Sequence, residues 1–595
     1  MKKKIGILLA LMLVMNLTAC TLNENNVTGS QPAAANEKTF EPGIYEGSGS
    51  GINGEIKVEV TVTEDTIISV VVKEHQETAG ISDQALKQIP EMIVQYQSLG
   101  VDAVSGATVT STGLLEAVAA ALEQTGADIS ALRAVPFDRK AVAVEDLTTQ
   151  VVVAGSGISG MMAAATAANE GMEVILVEKL GITGGSAGTA AGGAATAESE
   201  LIPAEMDDSL DRIMAYVRLM NETSERQPNY EFLAAILGQT GTTVDYIAAE
   251  LGVAPEEFED RGDYVRSRYG SGRRLIDGLA DHLAENGGVI MLNTKAEEIV
   301  MDGDRALGLR VSGEDGAFTI YADKVIIATG GASGNVERLL AADPQLANVA
   351  LRNIASVGNT GDGFQMLEEI GAKMGDGPYP KPAMAGFSSL RARTGITNLM
   401  LFDADGDRFC NEAPMFQTMT SAFLIRQGST AYYALFSAEQ TDEETLAALK
   451  EAAVGDDPHV AVYGETIEEL AEKLQIPAEK LCATFDRYQE LCATGEDSDF
   501  GKSADNLIAY ANSGGYYAAH VQASAWGTFG GAITDEQFRV LREDGSVINN
   551  VFAVGECANS EFYGDYYQGA FSLGLYATTG RIAGQTAAAE IAGGQ

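Results

Sequence analysis

Glu55–Thr63 reads EIKVEVTVT, apolar and polar residues in alternation, and Ile67–Lys73 keeps the same period of two. Alternation of this kind predicts strands with one buried face. Gly43–Gly47 and Gly51–Gly54 punctuate the run as hairpin turns. Helical spacing follows over Ala85–Tyr96 and again over Leu114–Gln124. Together, residues 39–127 predict a small α+β domain. A second pattern starts near residue 148. Val151–Ala154 is a short apolar run, Met161–Asn169 is a helix of small residues, and Glu173–Val177 is a second strand ending at Glu178. Pro203–Phe258 reads mostly helical. Further strands are expected at Gly288–Ala296, at Lys324–Gly331 before a glycine turn, and at Val551–Val554 before Glu556. A small-residue helix closes the chain through Gly580–Gly584.

Between the first strand and helix of the second pattern stands Gly155-Ser-Gly157-Ile-Ser159-Gly160. Strand, turn, helix, strand and acid occur in the order of a dinucleotide-binding βαβ unit. Gly155 permits the tight turn. Gly157 lets backbone approach a pyrophosphate lying on the helix N-terminus. Gly160 lets helix and strand pack closely, and Glu178 is placed to hold ribose hydroxyls. The competing reading is a glycine turn in an ordinary βαβ unit.

Charge narrows the partners. The chain of 595 residues has a formal net charge of −45, which repels nucleic acid, so no nucleic-acid partner is expected. The N-terminus carries Lys2-Lys3-Lys4, an apolar run Ile5–Met15 too short to span a bilayer comfortably, and Leu17-Thr-Ala-Cys20. This resembles a bacterial lipoprotein signal over residues 1–20, with Cys20 as the lipidated first residue of the mature protein. The membrane is then reached through a lipid anchor only, and the protein is extracytoplasmic. Residues 21–38 are polar and read as a flexible tether. Cys410, Cys482, Cys492 and Cys557 lack metal-ligand spacing and read as small buried hydrophobes. The histidines are scattered, so no metal is expected.

Val104-Ser-Gly-Ala-Thr108-Val-Thr110-Ser111 lies between the two helical patterns of the first domain. It resembles the acceptor signature of the FMN-binding domain found beside respiratory flavoproteins. The resemblance implies covalent FMN, joined by a flavin transferase through its phosphate to Thr110. The loop is expected to be exposed; the plainer alternative is a helix-capping loop. Residues 128–147 read as a linker.

Residues 148–595 resemble the fumarate reductase/3-ketosteroid dehydrogenase group of FAD enzymes. The implied fold is α/β: a Rossmann-like FAD-binding domain over 148–381 and 514–595, with an inserted α+β capping domain over 382–513. The implied contacts to non-covalent FAD fall on Ser159, Glu178, Ser186, Ala187, Gly192 and Gly193. They continue through Ala296, Asp362, Glu556, Ser572 and Leu573, with Asp362 expected on the ribitol hydroxyls. Fumarate reductases of this group clamp a dicarboxylate with arginines and histidines. Here Phe416 stands where a donor arginine is expected after Asn411, Trp526-Gly527 precedes the T-x-G-G turn, and Tyr567 stands at the C-terminal clamp position. The segment Gly377–Pro382 also lacks the expected histidine. Fumarate is therefore not the expected acceptor. The ketosteroid branch places a tyrosine where Tyr567 stands, a phenol able to hydrogen-bond or protonate a carbonyl or enolate oxygen. Phe416, Trp526, Phe529, Tyr563 and Tyr566 are expected to add an aromatic, weakly charged pocket; core packing is the alternative for them.

The resulting expectation is an extracytoplasmic reductase. Electrons enter from a membrane flavoprotein or quinol donor at FMN, pass to FAD, and leave as hydride to an activated C=C bond of a small acceptor, an enone or enoate, in anaerobic respiration. A ketosteroid-type dehydrogenase, a sulfoxide-type reductase and a non-catalytic electron carrier stay open as alternatives.

Overall fold

The computed structural model describes residues 40–594 except 78–81, 105–106, 136–144, 223, 314–315, 350, 384, 388–397, 413–420, 423, 427, 429–430, 438–440 and 512–513. Cys20 and Phe416 lie outside the described residues, as do the tether, Ser105, Gly106 and residues 136–144 of the linker. Among the described residues no helix is long and apolar enough to cross a membrane.

The alternating run near the N-terminus forms an antiparallel sheet of β1 (Gly43–Ser50), β2 (Glu55–Val62) and β3 (Ile67–Glu74) in that order. One face is covered by α1 (Asp83–Tyr96) and α2 (Thr108–Glu123), and the short α3 (Ile129–Ala134) follows. Ile56, Val58 and Val60 are fully buried against Leu114, Ala117, Val118 and Ala121 of α2. A Cβ at Gly47 would collide with the Ala117 carbonyl, and one at Gly49 with the Gly113 carbonyl. Bare backbone on β1 thus lets α2 lie directly on the strand.

The large region is built on an eight-stranded sheet. β4 (Leu147–Ala154) lies between Gly316–Ile327 and β5 (Val174–Val177), parallel to both. Val547–Ala553 pairs in parallel on the far side of Gly316–Ile327. The glycine turn after β4 leads into α4 (Ile158–Asn169), buried along nearly its whole length. Its small residues let the closing helix, Phe571–Ala592, pack at backbone distance: a Cβ at Gly580 would strike the Ser159 carbonyl. Such contact depends on glycine at 580 and 584, where an added Cβ would strike the Ser159 and Ala163 carbonyls.

A second sheet is organised on the long strand Tyr516–Phe529. It pairs with Leu351–Asn353, Tyr379–Pro382, Gly386–Phe387, Tyr432–Ser437 and Ala461–Gly464. Helices Glu443–Ala452, Ile467–Leu474 and Ala478–Thr494 accompany it. The chain is an α/β protein with a Rossmann-like region, an inserted α+β unit and a small α+β domain before both.

Candidate active site

The dinucleotide turn has the shape its glycines require. Gly155 adopts φ +99°, a left-handed conformation that favours glycine. A Cβ at Gly160 would collide with the Gly155 carbonyl, whereas a Cβ at Gly157 meets nothing within 4 Å. That open side of Gly157 faces no protein atom. Glu178 is 8% exposed. Its Oε2 accepts from the Ser156 backbone N–H at 2.9 Å and the Ser156 hydroxyl at 2.6 Å, and Oε1 accepts from Leu180 N–H at 2.9 Å. The acid is therefore fixed at the tip of β5, beside the turn.

The other expected contacts extend from this point. Ser186 leads a short helical turn, Ala187–Thr189, and its Oγ accepts from Ser356 N–H at 2.9 Å. Gly192, at φ +75°, leaves no room for a Cβ against Ser271, and Gly193 opens the strand Gly193–Thr196. Ala195 N–H donates to the Ala570 carbonyl at 3.1 Å, so this strand touches the start of the closing helix. That helix begins at Phe571 and carries Ser572 and Leu573 in its first turn. Ala296 is buried. Asp362 is held by Lys179, at 2.5 Å, and faces Lys295, at 3.7 Å. Those lysines adjoin Glu178 and Ala296, so Asp362 sits on the Glu178 side of the region. Although burial opposes ionisation, Lys179 keeps its carboxyl below the usual range.

Glu556 follows Val547–Ala553, whose end lies on the same edge of the sheet as those of β4 and β5. It accepts from Asn359 Nδ2 at 3.1 Å and pairs with Lys381. Lys381 is 3% exposed. Its ammonium also donates to Ser572 Oγ at 3.2 Å and Tyr576 OH at 3.4 Å. It lies 5.3 Å from the Tyr567 ring centroid. Burial works to lower its pKa, but the Glu556 carboxylate more than offsets this and holds it above the ordinary lysine value. Burial pushes the phenols of Tyr563 and Tyr576 well up, so both remain protonated beside it.

Four of the expected pocket aromatics come together here. Tyr567 meets Trp526 edge-on at 5.4 Å between centroids and Tyr563 at 5.8 Å, and Phe529 stacks on Tyr563 at 5.0 Å. Tyr566 makes a different contact. Its hydroxyl accepts from Arg426 Nη2 at 2.9 Å, and Arg426 also faces Asp565 at 3.9 Å. The expectation of weakly charged surroundings is corrected: a buried ammonium–carboxylate pair lies beside Tyr567, and an arginine stands at Tyr566. Three of the four cysteines differ from expectation. Cys557 is buried, with its thiol pushed up to about 11 by burial, but Cys410, Cys482 and Cys492 are only half-buried.

Thr110 needs a correction too. It is not on an exposed loop but in the first turn of α2, 2% exposed, and its hydroxyl donates to Glu77. The helix starts at Thr108 instead of Leu114.

Residues 150–573 match the FAD binding domain family, and residues 51–123 match the FMN-binding domain family. The chain belongs to the FAD binding domain family. A urocanate reductase of Eggerthella lenta is 30% identical over 579 residues, covering 92% of this chain and 92% of that protein. An NADH:acrylate oxidoreductase of Vibrio harveyi is 27% identical over 92% of this chain; the chain spans 61% of that relative's length. The open conformation of a flavocytochrome c3 fumarate reductase superposes with a TM-score of 0.59 at 25% identity, over 75% of this chain and 79% of that one.

The described residues of this family member fit FAD. The unfilled side of Gly157 suits a pyrophosphate at the N-terminus of α4. Asn359 Oδ1 and Gln568 Nε2 are buried without a hydrogen-bond partner among the described residues, and buried polar atoms of that kind call for a ligand or water. Lys381 joins the candidate site without having been expected there. It stands in the very segment noted for its missing histidine, and the signal was a lone lysine among prolines.

Proposed function

We propose that the chain is an extracytoplasmic flavin reductase, anchored through lipid on Cys20, that reduces an activated C=C bond of a small organic acceptor. Electrons come from a membrane flavoprotein or quinol donor by way of FMN on Thr110, attached by a flavin transferase. The observation that carries the reading is the placement of Lys381 beside Tyr567, one buried cation and one phenol at the start of the closing helix. Two relatives are named for acrylate and urocanate, both 2-enoates with a single carboxylate. That supports an α,β-unsaturated monocarboxylate or an enone over a dicarboxylate, since Tyr567 stands where an arginine would clamp a second acid group and Phe416 where a donor arginine is expected.

FAD, when bound, would supply the two electrons, as hydride, that such an acceptor takes up. The Tyr567 hydroxyl hydrogen-bonds the carbonyl or carboxylate oxygen and hands its proton to the α-carbon or the enolate. Lys381, held by Glu556, puts positive charge where negative charge develops, in a site where low polarity strengthens it. The positive N-terminal end of Phe571–Ala592 acts in the same sense. Trp526, Phe529 and Tyr563 exclude water from that side.

The test is anaerobic oxidation of a reduced viologen dye by the flavinylated protein across a panel of enoates and enones. Turnover with at least one monocarboxylate enoate or enone, and none with fumarate, is expected. No turnover on any acceptor would instead make the protein an electron carrier. Bleaching of oxidised FAD by saturated ketones would reverse the direction, to a dehydrogenase. Mass spectrometry of the mature N-terminal peptide tests the anchor.

A further inference from the structure

The small domain holds a buried carboxylate on the very hydroxyl that the reading above makes the FMN attachment point. Glu77 is 7% exposed. Its Oε1 accepts from the Asn53 backbone N–H at 2.9 Å, and its Oε2 accepts from the Thr110 hydroxyl. Ser82 Oγ lies 3.3 Å from Thr110 Oγ1. A side chain at Gly51 would collide with Glu77 Oε1, so the hairpin between β1 and β2 closes over the carboxylate because residue 51 is glycine. Burial disfavours the charged form, but the hydrogen bonds from Asn53 and Thr110 outweigh it and hold Glu77 below the ordinary glutamate range; His75 acts in the same direction. An ionised carboxylate in a partly dry site, already accepting a hydroxyl proton, has the geometry of a general base. A purely structural carboxylate at the start of α2 would more simply cap backbone N–H groups, whereas Glu77 reaches the helix through a side-chain hydroxyl.

We propose that Glu77 is the base that accepts the Thr110 proton when the flavin phosphoester is formed. The proposal rests on Thr110 being the attachment residue. The donor is a flavin dinucleotide, in which the FMN phosphorus is activated by its anhydride link to AMP. Thr110 Oγ attacks that phosphorus and a new P–O bond forms. The anhydride P–O bond breaks, and AMP leaves with its electron pair. The hydroxyl proton passes to Glu77 and then to solvent, and nothing is oxidised or reduced. Val109, the preceding residue, is 51% exposed, so the reacting hydroxyl lies close beneath the surface.

The experiment matures the full chain with purified flavin transferase and flavin dinucleotide. Labelling is followed by intact mass and in-gel flavin fluorescence against time. Glu77→Gln is expected to lower the initial rate at pH 7 by about tenfold or more, with the rate climbing as pH rises while the native protein stays flat. Equal rates for Glu77→Gln and the native protein across that pH range would overturn the proposal. Should Glu77→Gln loosen α2, as read by amide hydrogen exchange, Glu77→Asp carries the test. It keeps a carboxylate and is expected to label faster than Glu77→Gln; equal rates for the two overturn the proposal. Thr110→Val separates the underlying reading: label persisting in that variant, or none on the native protein, means that Thr110 is not the attachment residue, and the proposal for Glu77 falls with it.

Discussion

Lys381 and Glu556 form an ion pair whose side chains are 3% and 9% exposed, beside Tyr567 in the candidate active site. Neither charge belongs there alone. Replacing Lys381 with Met strands the carboxylate, and removing one partner of a buried pair costs ~3–5 kcal/mol. The double variant Lys381→Met/Glu556→Gln is expected to recover most of that loss, because no charge is left unpaired. Urea unfolding of the native protein and the two variants measures it, and a double variant as unstable as the single one would show that the pair is not the cause. The pH dependence has a definite sign. A lysine raised in the folded state stabilises fully below its ordinary value of 10.5 and loses that contribution as pH rises through the raised value. The native protein should therefore weaken above that pH, and Lys381→Met should lose this part of the alkaline limb.

Tyr567→Phe keeps the ring that packs on Trp526 and Tyr563 and removes only the hydroxyl. If that hydroxyl delivers the proton, kcat falls by about 10²-fold or more while KM moves little. Steady-state kinetics with the best enoate from the acceptor panel checks this. An unchanged kcat would assign the proton to another group.

The two glycines of the dinucleotide turn should fail in different ways. A Cβ at Gly160 collides with the Gly155 carbonyl, so Gly160→Ala is expected to destabilise the fold itself. A Cβ at Gly157 meets no protein atom within 4 Å. Gly157→Ala should leave the thermal midpoint of the flavin-free protein unchanged and weaken FAD retention by about tenfold or more, since only the ligand can meet the new methyl. Flavin content after gel filtration, beside the thermal midpoint, distinguishes the two.

What could be read in advance was local. Period-two alternation revealed β2, whose sheet is buried on one face, whereas β3 buries Ile67 and Val70 three positions apart; the glycine turn revealed itself because backbone geometry forbids other residues at Gly155 and Gly160. What escaped depends on partners distant along the chain. Lys381 finds Glu556 across 175 positions, and Glu77 finds Thr110 across 33; no window of sequence contains either pair. Tyr566 and Tyr567 adjoin in sequence yet make separate contacts, one with Arg426 and the other with Trp526. In the irregular segment before Phe571 no periodicity says which way either ring turns.

The Asp-Arg-Phe-Cys-Asn-Glu stretch of the inserted unit is explained by a buried charge network, and this sets its response to acid. Arg408 Nε and Nη2 reach the two oxygens of Glu412 at 3.0 and 2.9 Å, and Nη2 also reaches Asp497 at 2.8 Å. Lys502 pairs with Glu412 at 3.2 Å and donates to the Leu399 carbonyl at 2.8 Å. Two carboxylates thus balance two cations, with Glu412, Asp497 and Lys502 side chains at 0% exposure. Glu412→Gln leaves the cations in excess and should cost ~3–5 kcal/mol. Burial alone would raise the Asp497 carboxyl, but hydrogen bonds from the Arg408 guanidinium and the Lys502 backbone pull it down to about 2, from an ordinary 3.8. A depressed carboxyl stabilises fully above its unfolded value and loses that contribution as pH falls through the folded one. The native protein should therefore lose stability between about pH 4 and pH 2, and Asp497→Asn should start lower at neutral pH and lose less over that interval. Denaturant midpoints at several acid pH values measure the slope, and parallel slopes for the two proteins would remove Asp497 as the source.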